Sequence, residues 1–204
     1  MSDGAGPRTR VVLLAGPSGS GKSHLAERSG LPLLDLDHFY KEGDDPSLPR
    51  HPTLGIVDWD DPRSWDGAAA VAAIEAACRL GAAEVPVYDI AHDGRVGIRR
   101  FEVGGHAVFV GTGIFAAEIV AVCRERGLLA DAVVVRRAAW KNFFRRLGRD
   151  LAERRKPPLT LVRRGLELLR REGAVLERQI ALGCRPCGRV ETLTALRTAA
   201  HSTP

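Results

Sequence analysis

Short, uninterrupted apolar runs alternate along the chain with segments whose apolar residues recur at helical spacing. The run Val11-Val12-Leu13-Leu14, within Arg10 to Ala15, has the appearance of a central parallel strand covered on both faces, and it leads straight into glycines. Lys22 to Ser29 is compatible with a helix, and Gly30-Leu31-Pro32 supplies a stop. Leu33 to Leu36 then reads as a second short strand. Between Lys41 and Pro62 the composition turns to Pro, Gly and Asp, with prolines at 46, 49, 52 and 62, so a long, mobile flap is expected over about 41–62. Ser64 is placed to cap a helix that runs to about Leu80 through an alanine-rich stretch and stops at Gly81. Glu84 to Tyr88 and Val96 to Val103 suggest an irregular hairpin around Asp93-Gly94.

The alternation then resumes. Ala107-Val108-Phe109-Val110 predicts a buried strand, Phe115 to about Arg126 a helix, and Ala132 to Val135 another strand. A helix through Trp140, Phe143, Phe144 and Leu147 follows, then a basic break at Arg155-Lys156-Pro157-Pro158 and one or two terminal helices. Strands alternating with helices predict an α/β fold, a parallel sheet flanked by helices with a small β-hairpin at its side. One domain is expected over residues 1–204, with 1–9 as a flexible N-terminus.

Composition narrows the function classes. Hydrophobic residues at 45% and charged residues at 27% are ordinary globular values, and no apolar run approaches the ~20 residues that cross a bilayer. Met1 to Arg8 lacks the apolar stretch of a secretory signal, so the expectation is a cytoplasmic protein without a membrane partner. The four cysteines are too few for a disulfide scaffold in 204 residues. Cys184 and Cys187 form a C-x-x-C without a second Cys/His pair to complete four zinc ligands. His38, His51, His92 and His106 likewise lack metal-ligand spacing. The net charge of +5 lies largely between Arg136 and Arg171, interleaved with acidic and apolar positions, which suits a phosphate pocket better than a nucleic-acid arm. Trp140, Phe143 and Phe144 precede those arginines at helical spacing, a pattern of burial and not of base stacking.

One motif carries specific chemistry. Gly16-Pro17-Ser18-Gly19-Ser20-Gly21-Lys22-Ser23 matches G-x-x-x-x-G-K-[ST] between an apolar strand and a helix start, the context a phosphate-binding loop requires. Glycines let successive backbone N–H groups turn inward on dense negative charge, and the following helix adds its N-terminal dipole. Gly16, Ser18, Gly19, Ser20, Gly21, Lys22, Ser23 and the adjoining His24 are therefore the candidate ATP contacts, with Lys22 on the β- and γ-phosphates and the Ser23 hydroxyl on Mg²⁺. Asp35 and Asp37 stand at the end of the second strand, at i and i+2 on one expected face. A carboxylate there can orient a phosphoryl-accepting hydroxyl and take its proton, while helix capping is the alternative role for one of the pair.

Further motifs follow in order: Asp37-His38-Phe39-Tyr40, Trp59-Asp60-Asp61-Pro62 with Trp65-Asp66, Val85-Pro86-Val87-Tyr88-Asp89 with Arg95, and Arg145-Arg146-Leu147-Gly148-Arg149-Asp150 with Glu153-Arg154. Together with the phosphate loop they span about residues 10 to 165, and in this arrangement the chain resembles the uridine kinase family of P-loop kinases. The resemblance implies that Asp37 is the catalytic carboxylate and a Mg²⁺ ligand beside Ser23. It implies that Tyr40, Trp59, Asp60 and Tyr88 line an acceptor pocket, with Arg95 and Arg146 also on the substrate. It further implies a lid over about 149–160 whose Arg149 and Arg154 close on the phosphates.

Three positions depart from the family pattern. Thr112, in Gly111-Thr112-Gly113-Ile114, stands where the family has an acidic residue, and it supplies no charge to Mg²⁺. Asp93 occupies the place of the family's base-reading histidine, with His92 displaced by one, and Arg164 aligns with its lid-following glutamine. The expected activity is ATP-dependent transfer of the γ-phosphoryl to a small-molecule hydroxyl, the 5′-hydroxyl of a pyrimidine ribonucleoside first. The alternatives are another hydroxylated metabolite, such as pantothenate, a sugar phosphate or glycerate, and a nucleotide-binding regulator that Thr112 has weakened as a catalyst. The expected partner is that small molecule, and a homo-oligomer stays open.

Overall fold

A computed structural model describes residues 6–17, 19–51, 55–136 and 173–201. Strands β1 (Arg10–Ala15), β2 (Leu33–Asp35), β5 (Val108–Thr112), β6 (Leu129–Val135) and β7 (Arg185–Cys187) form one sheet in the order β2-β5-β1-β6-β7, every neighbouring pair parallel. Strands β3 (Ala82–Asp89) and β4 (Gly94–Glu102) pair antiparallel as a separate hairpin. The helices are α1 (Lys22–Ser29), α2 (Gly67–Leu80), α3 (Val120–Glu125), α4 (173–181) and α5 (Arg189–His201).

The unbroken apolar run of β1 is explained by its position. Val11, Leu13 and Ala15 belong to one core cluster and Val12 and Leu14 to another, and all five are fully buried. The first cluster joins α2 and α3 to the sheet through Ala70, Ile74, Ala77, Cys78, Val120 and Cys123. The second joins α1 and α5 to the opposite face through Leu25, Ala26 and Leu196. Alternate side chains of a strand point to opposite faces, so a strand covered on both must be apolar throughout. From β1 the chain goes out to β2 at one edge and returns to β5, then crosses to β6 on the other side of β1. Ligands in such sheets bind beyond the carboxyl ends of the strands where the order reverses. Thr112, paired with Leu14 on one side and Asp35 on the other, marks that edge.

Several expected boundaries shift. The second strand stops at Asp35, and Leu36–Phe39 is a 3₁₀ turn that the Asp35 side chain caps by accepting from the Asp37 N–H at 2.9 Å. Asp35 and Asp37 therefore do not share a strand face; the first makes the turn that aims the second. Ser64 does not cap α2, because it sits in a 3₁₀ turn over Pro62–Ser64, and Asp66 caps the helix by accepting from the Ala69 N–H at 2.9 Å. The helix expected over Phe115 to Arg126 is divided into a 3₁₀ turn at Ala116–Ile119 and the short α3. Strand β7 is an addition, formed from the C-x-x-C segment. Cys184 packs in the first core cluster and Cys187 in the second, so the two sulfurs belong to opposite faces of the sheet. Arg8 and Thr9 both donate backbone N–H groups to the Cys78 carbonyl and Thr9 is buried, so the chain is anchored two residues before β1. The helix expected through Trp140 and the lid expected over 149–160 lie outside the described residues.

Candidate active site

The bend between β1 and α1 folds as its glycines require. Gly16, Gly19 and Gly21 take φ of 145°, 83° and 90°, conformations that side chains resist, and Gly21 stands at the N-terminal boundary of α1. A Cβ on Gly16 would lie 3.1 Å from the Ser20 Oγ. Lys22 is buried and folds back over the loop, its Nζ donating to the Gly16 carbonyl at 2.7 Å and to the Pro17 carbonyl at 3.4 Å. Ser23 and His24 are exposed on the first turn of α1. Ser18 lies outside the described residues.

Two buried hydroxyls near this loop, Ser20 Oγ and Thr112 Oγ1, have no hydrogen-bond partner among the described residues. A buried hydroxyl without a partner costs ~1–3 kcal/mol, and both are open to a partner that the described residues do not supply. Glycine-permitted backbone, a buried ammonium bonded to loop carbonyls at 2.7 and 3.4 Å, and two hydroxyls without a partner among the described residues together fit a polyphosphate. For Mg²⁺ the available donors, the Ser23 hydroxyl and the Asp37 carboxylate, are the hard oxygens that this ion prefers, and the bound phosphates and water would complete its shell.

Asp37 projects from the 3₁₀ turn beyond β2 and is half-buried. Its Oδ1 accepts the Ile114 N–H at 3.0 Å. Gly113 lies so close that a Cβ there would meet Asp37 Oδ1 and Leu36 Cβ, each at 3.0 Å, which is why this strand exit carries a glycine. Burial raises the Asp37 pKa above the ordinary carboxylate range, the Lys22 ammonium and the Ile114 N–H draw it back, and Asp35 adds to the rise. The carboxylate is thus held beside the phosphate loop, within the field of its lysine.

On the other side of Asp37 stands an aromatic box. Tyr40 has its ring centroid 5.7 Å from those of Trp59 and Tyr88 and 5.9 Å from that of Phe115. The Tyr40 hydroxyl donates to the Trp59 carbonyl at 3.3 Å. The Tyr88 hydroxyl is buried without a partner among the described residues. Burial is the main reason that both phenols resist ionisation, Tyr88 being pushed up to about 12, and nearby carboxylates add to it: Asp37 and Asp60 for Tyr40, Asp93 and Glu42 for Tyr88. Asp60 itself is exposed at the rim. Arg95 turns toward Asp66 (3.6 Å) and Glu42 (3.9 Å), so its charge is already balanced by carboxylates.

The sequence-predicted residues Asp37, Lys22, Tyr40, Trp59, Asp60 and Tyr88 therefore gather at one edge of the sheet, whereas Arg146, Arg149 and Arg154 lie outside the described residues. Several residues were not anticipated. Phe115 completes the box although its pattern reads as the start of a helix. Trp65 donates its indole N–H to the Leu36 carbonyl at 2.7 Å and so fixes the turn that carries Asp37. His38, given no role from the sequence, accepts the Tyr88 N–H at Nδ1 (3.0 Å), which ties that turn to the hairpin and leaves the ring proton on Nε2. Asp93 takes a positive φ of 46° at the hairpin corner, and its carbonyl accepts the Gly43 N–H at 2.7 Å. The Arg95 N–H donates to Glu42 at 3.0 Å, so the root of the 41–62 segment is fastened to the hairpin.

No protein-family model and no curated protein matches the chain. Among solved structures it is similar to one described as a "putative fructose transport system kinase" from Silicibacter sp. TM1040, with a TM-score of 0.62 and 18% identity over 86% of this chain and 88% of that one. A "possible uridine kinase" from Bacillus stearothermophilus overlaps less closely, with a TM-score of 0.47 and 17% identity over 71% and 78% of the two chains. The first likeness establishes the fold: a mostly parallel five-stranded sheet flanked by helices with a small antiparallel hairpin, the P-loop kinase architecture.

Proposed function

We propose that this protein is an ATP-dependent small-molecule kinase in which Asp37 orients the recipient hydroxyl and accepts its proton. The observation that carries the reading is the placement of Asp37: its Oδ1 accepts the Ile114 N–H, it lies within the field of Lys22, and its charge acts on Tyr40, which packs with Trp59, Tyr88 and Phe115.

ATP would supply the phosphoryl group and Mg²⁺ the positive charge shared by its terminal phosphates. The chain's own part is positioning and charge balance. The loop N–H groups and the Ser20 hydroxyl hold phosphate oxygens, and Lys22 exchanges its backbone carbonyls for them. Thr112, whose hydroxyl has no partner among the described residues, would help hold Mg²⁺ with Ser23 and Asp37, without adding charge. The aromatic walls keep bulk water from the reacting hydroxyl, which limits hydrolysis.

The box also favours a class of acceptor. Among the described residues, the charged groups that act on the two phenols are carboxylates, and the nearby Arg95 is already paired. An uncharged, hydroxyl-bearing molecule with a flat or apolar face suits these walls, and a pyrimidine ribonucleoside accepting at its 5′-hydroxyl is the first choice. A free sugar, as the name of the Silicibacter protein suggests for that protein, is the second. Pantothenate, glycerate and sugar phosphates would bring negative charge beside the carboxylates of the described residues and rank below the uncharged acceptors. A panel of acceptors with ADP release as the readout tests this directly: uncharged acceptors should turn over and anionic ones should not. Tight Mg·ATP binding with no phosphorylated product from any acceptor would transfer the protein to the regulator class.

A further inference from the structure

Beyond the aromatic box, α4 reaches back to the site through one side chain. Gln179 is only 4% exposed, and its Nε2 donates to the Ile114 carbonyl at 2.9 Å. Only the NH₂ end of the amide can donate to a carbonyl, so the orientation of the group is fixed. Ile114 in turn gives its N–H to Asp37. The two bonds grip the peptide groups on either side of the Ile114 Cα, one from the carboxylate and one from α4. Next to Gln179, Arg178 makes a two-pronged contact with Glu118, at 3.1 Å and 2.9 Å, which docks α4 on the turn following Phe115. The Cys184 N–H donates to the Gln179 carbonyl at 3.1 Å, so the backbone of Gln179 is held as well.

For stability alone this is a poor use of a glutamine. Its Oε1 is buried with no partner among the described residues, a cost that an apolar side chain of the same length would avoid. We infer that Gln179 is a positioning residue: it holds the Gly113–Ile114 exit of β5 in place, and through the Ile114 N–H it fixes the direction of the Asp37 carboxylate toward the acceptor. Because α4 lies in the connection between β6 and β7, this ties that connection to the strand end that carries Ile114. The inference rests on the kinase reading for its consequence in turnover but not for its structural half.

Gln179→Met keeps the length, removes the donor and also removes the orphaned oxygen. The expected result is a loss of ~10- to 100-fold in kcat with the KM for ATP unchanged, as for a small misplacement of a reacting group. The orphaned oxygen is lost together with the Ile114 carbonyl's donor, so the melting temperature should change little, and the Ile114 amide proton should move in ¹H–¹⁵N spectra of the nucleotide-free protein. A merely structural role predicts the reverse, a lower melting temperature with kcat preserved. If the Met variant does not fold, Gln179→Asn, one methylene too short to reach the Ile114 carbonyl, is read in the same way. A folded variant with an unmoved Ile114 amide, or with wild-type kcat, overturns the inference. A wild-type protein that phosphorylates no acceptor overturns the kinase reading instead, and the Ile114 amide still decides whether Gln179 holds this strand exit.

Discussion

Asp37 shows how one side chain is made both reactive and costly. Burial raises its pKa, and the charged form is needed to receive a proton, so activity should fall as pH drops through a value above the ordinary carboxylate range. The acid limb of kcat against pH is the measurement. The linkage has the matching sign: a folded-state pKa above the unfolded one stabilises the protein at low pH, and that contribution is lost as pH rises through the folded value. Asp37→Asn should therefore raise the melting temperature at neutral pH while cutting turnover ~10²- to 10⁴-fold. Thr112 obeys a similar rule on a smaller scale. Its buried hydroxyl is unpartnered among the described residues, so Thr112→Val should cost no stability in thermal melts and gain up to ~1 kcal/mol, yet weaken Mg·ATP binding in calorimetry.

Among the elements, the turn between β2 and α2 does the positioning. Asp35 caps it, Trp65 braces it from below, and the Asp66 N–H donates to the Phe39 carbonyl at 2.8 Å as α2 begins. Asp66→Ala should cost about 1 kcal/mol through the lost helix cap and lower the melting temperature by ~2–4 °C, without direct effect on ATP affinity. Much of this was legible from local chemistry. The buried strands announced themselves by unbroken apolar runs, the phosphate loop by glycine spacing, and the hairpin by Asp93-Gly94. What escaped were decisions made by tertiary contacts. Leu36 reads as a strand residue, yet its carbonyl is claimed by the Trp65 indole and its neighbour by the Asp35 cap, so the chain turns early. Three residues of β7, in a C-x-x-C segment to which the sequence assigns no element, become a strand because the β6 edge is there to pair with. Gln179 carried no signal at all, since a lone glutamine in a helix becomes informative only once the strand exit it touches is known.

At the scale of the whole molecule, the two faces of the sheet share the work. The α1 and α5 side stabilises β1 and presents the loop, while the α2, α3 and α4 side builds the acceptor box and braces its base. A nucleotide that binds only the folded chain stabilises it by mass action, about 2.7 kcal/mol at a hundredfold excess over Kd, so Mg·ATP should raise the melting temperature clearly. Lys22→Ala should abolish most of that rise, since the ammonium that folds over Gly16 and Pro17 would be gone. The most direct test of the central claim compares wild type with Asp37→Asn under saturating Mg·ATP and an uncharged hydroxyl acceptor, following phosphorylated product and nucleotide affinity together. The account predicts product from the wild type, almost none from the variant, and ATP still bound by the variant, weakened only by the loss of one Mg²⁺ donor; a variant that turns over at the wild-type rate would contradict it.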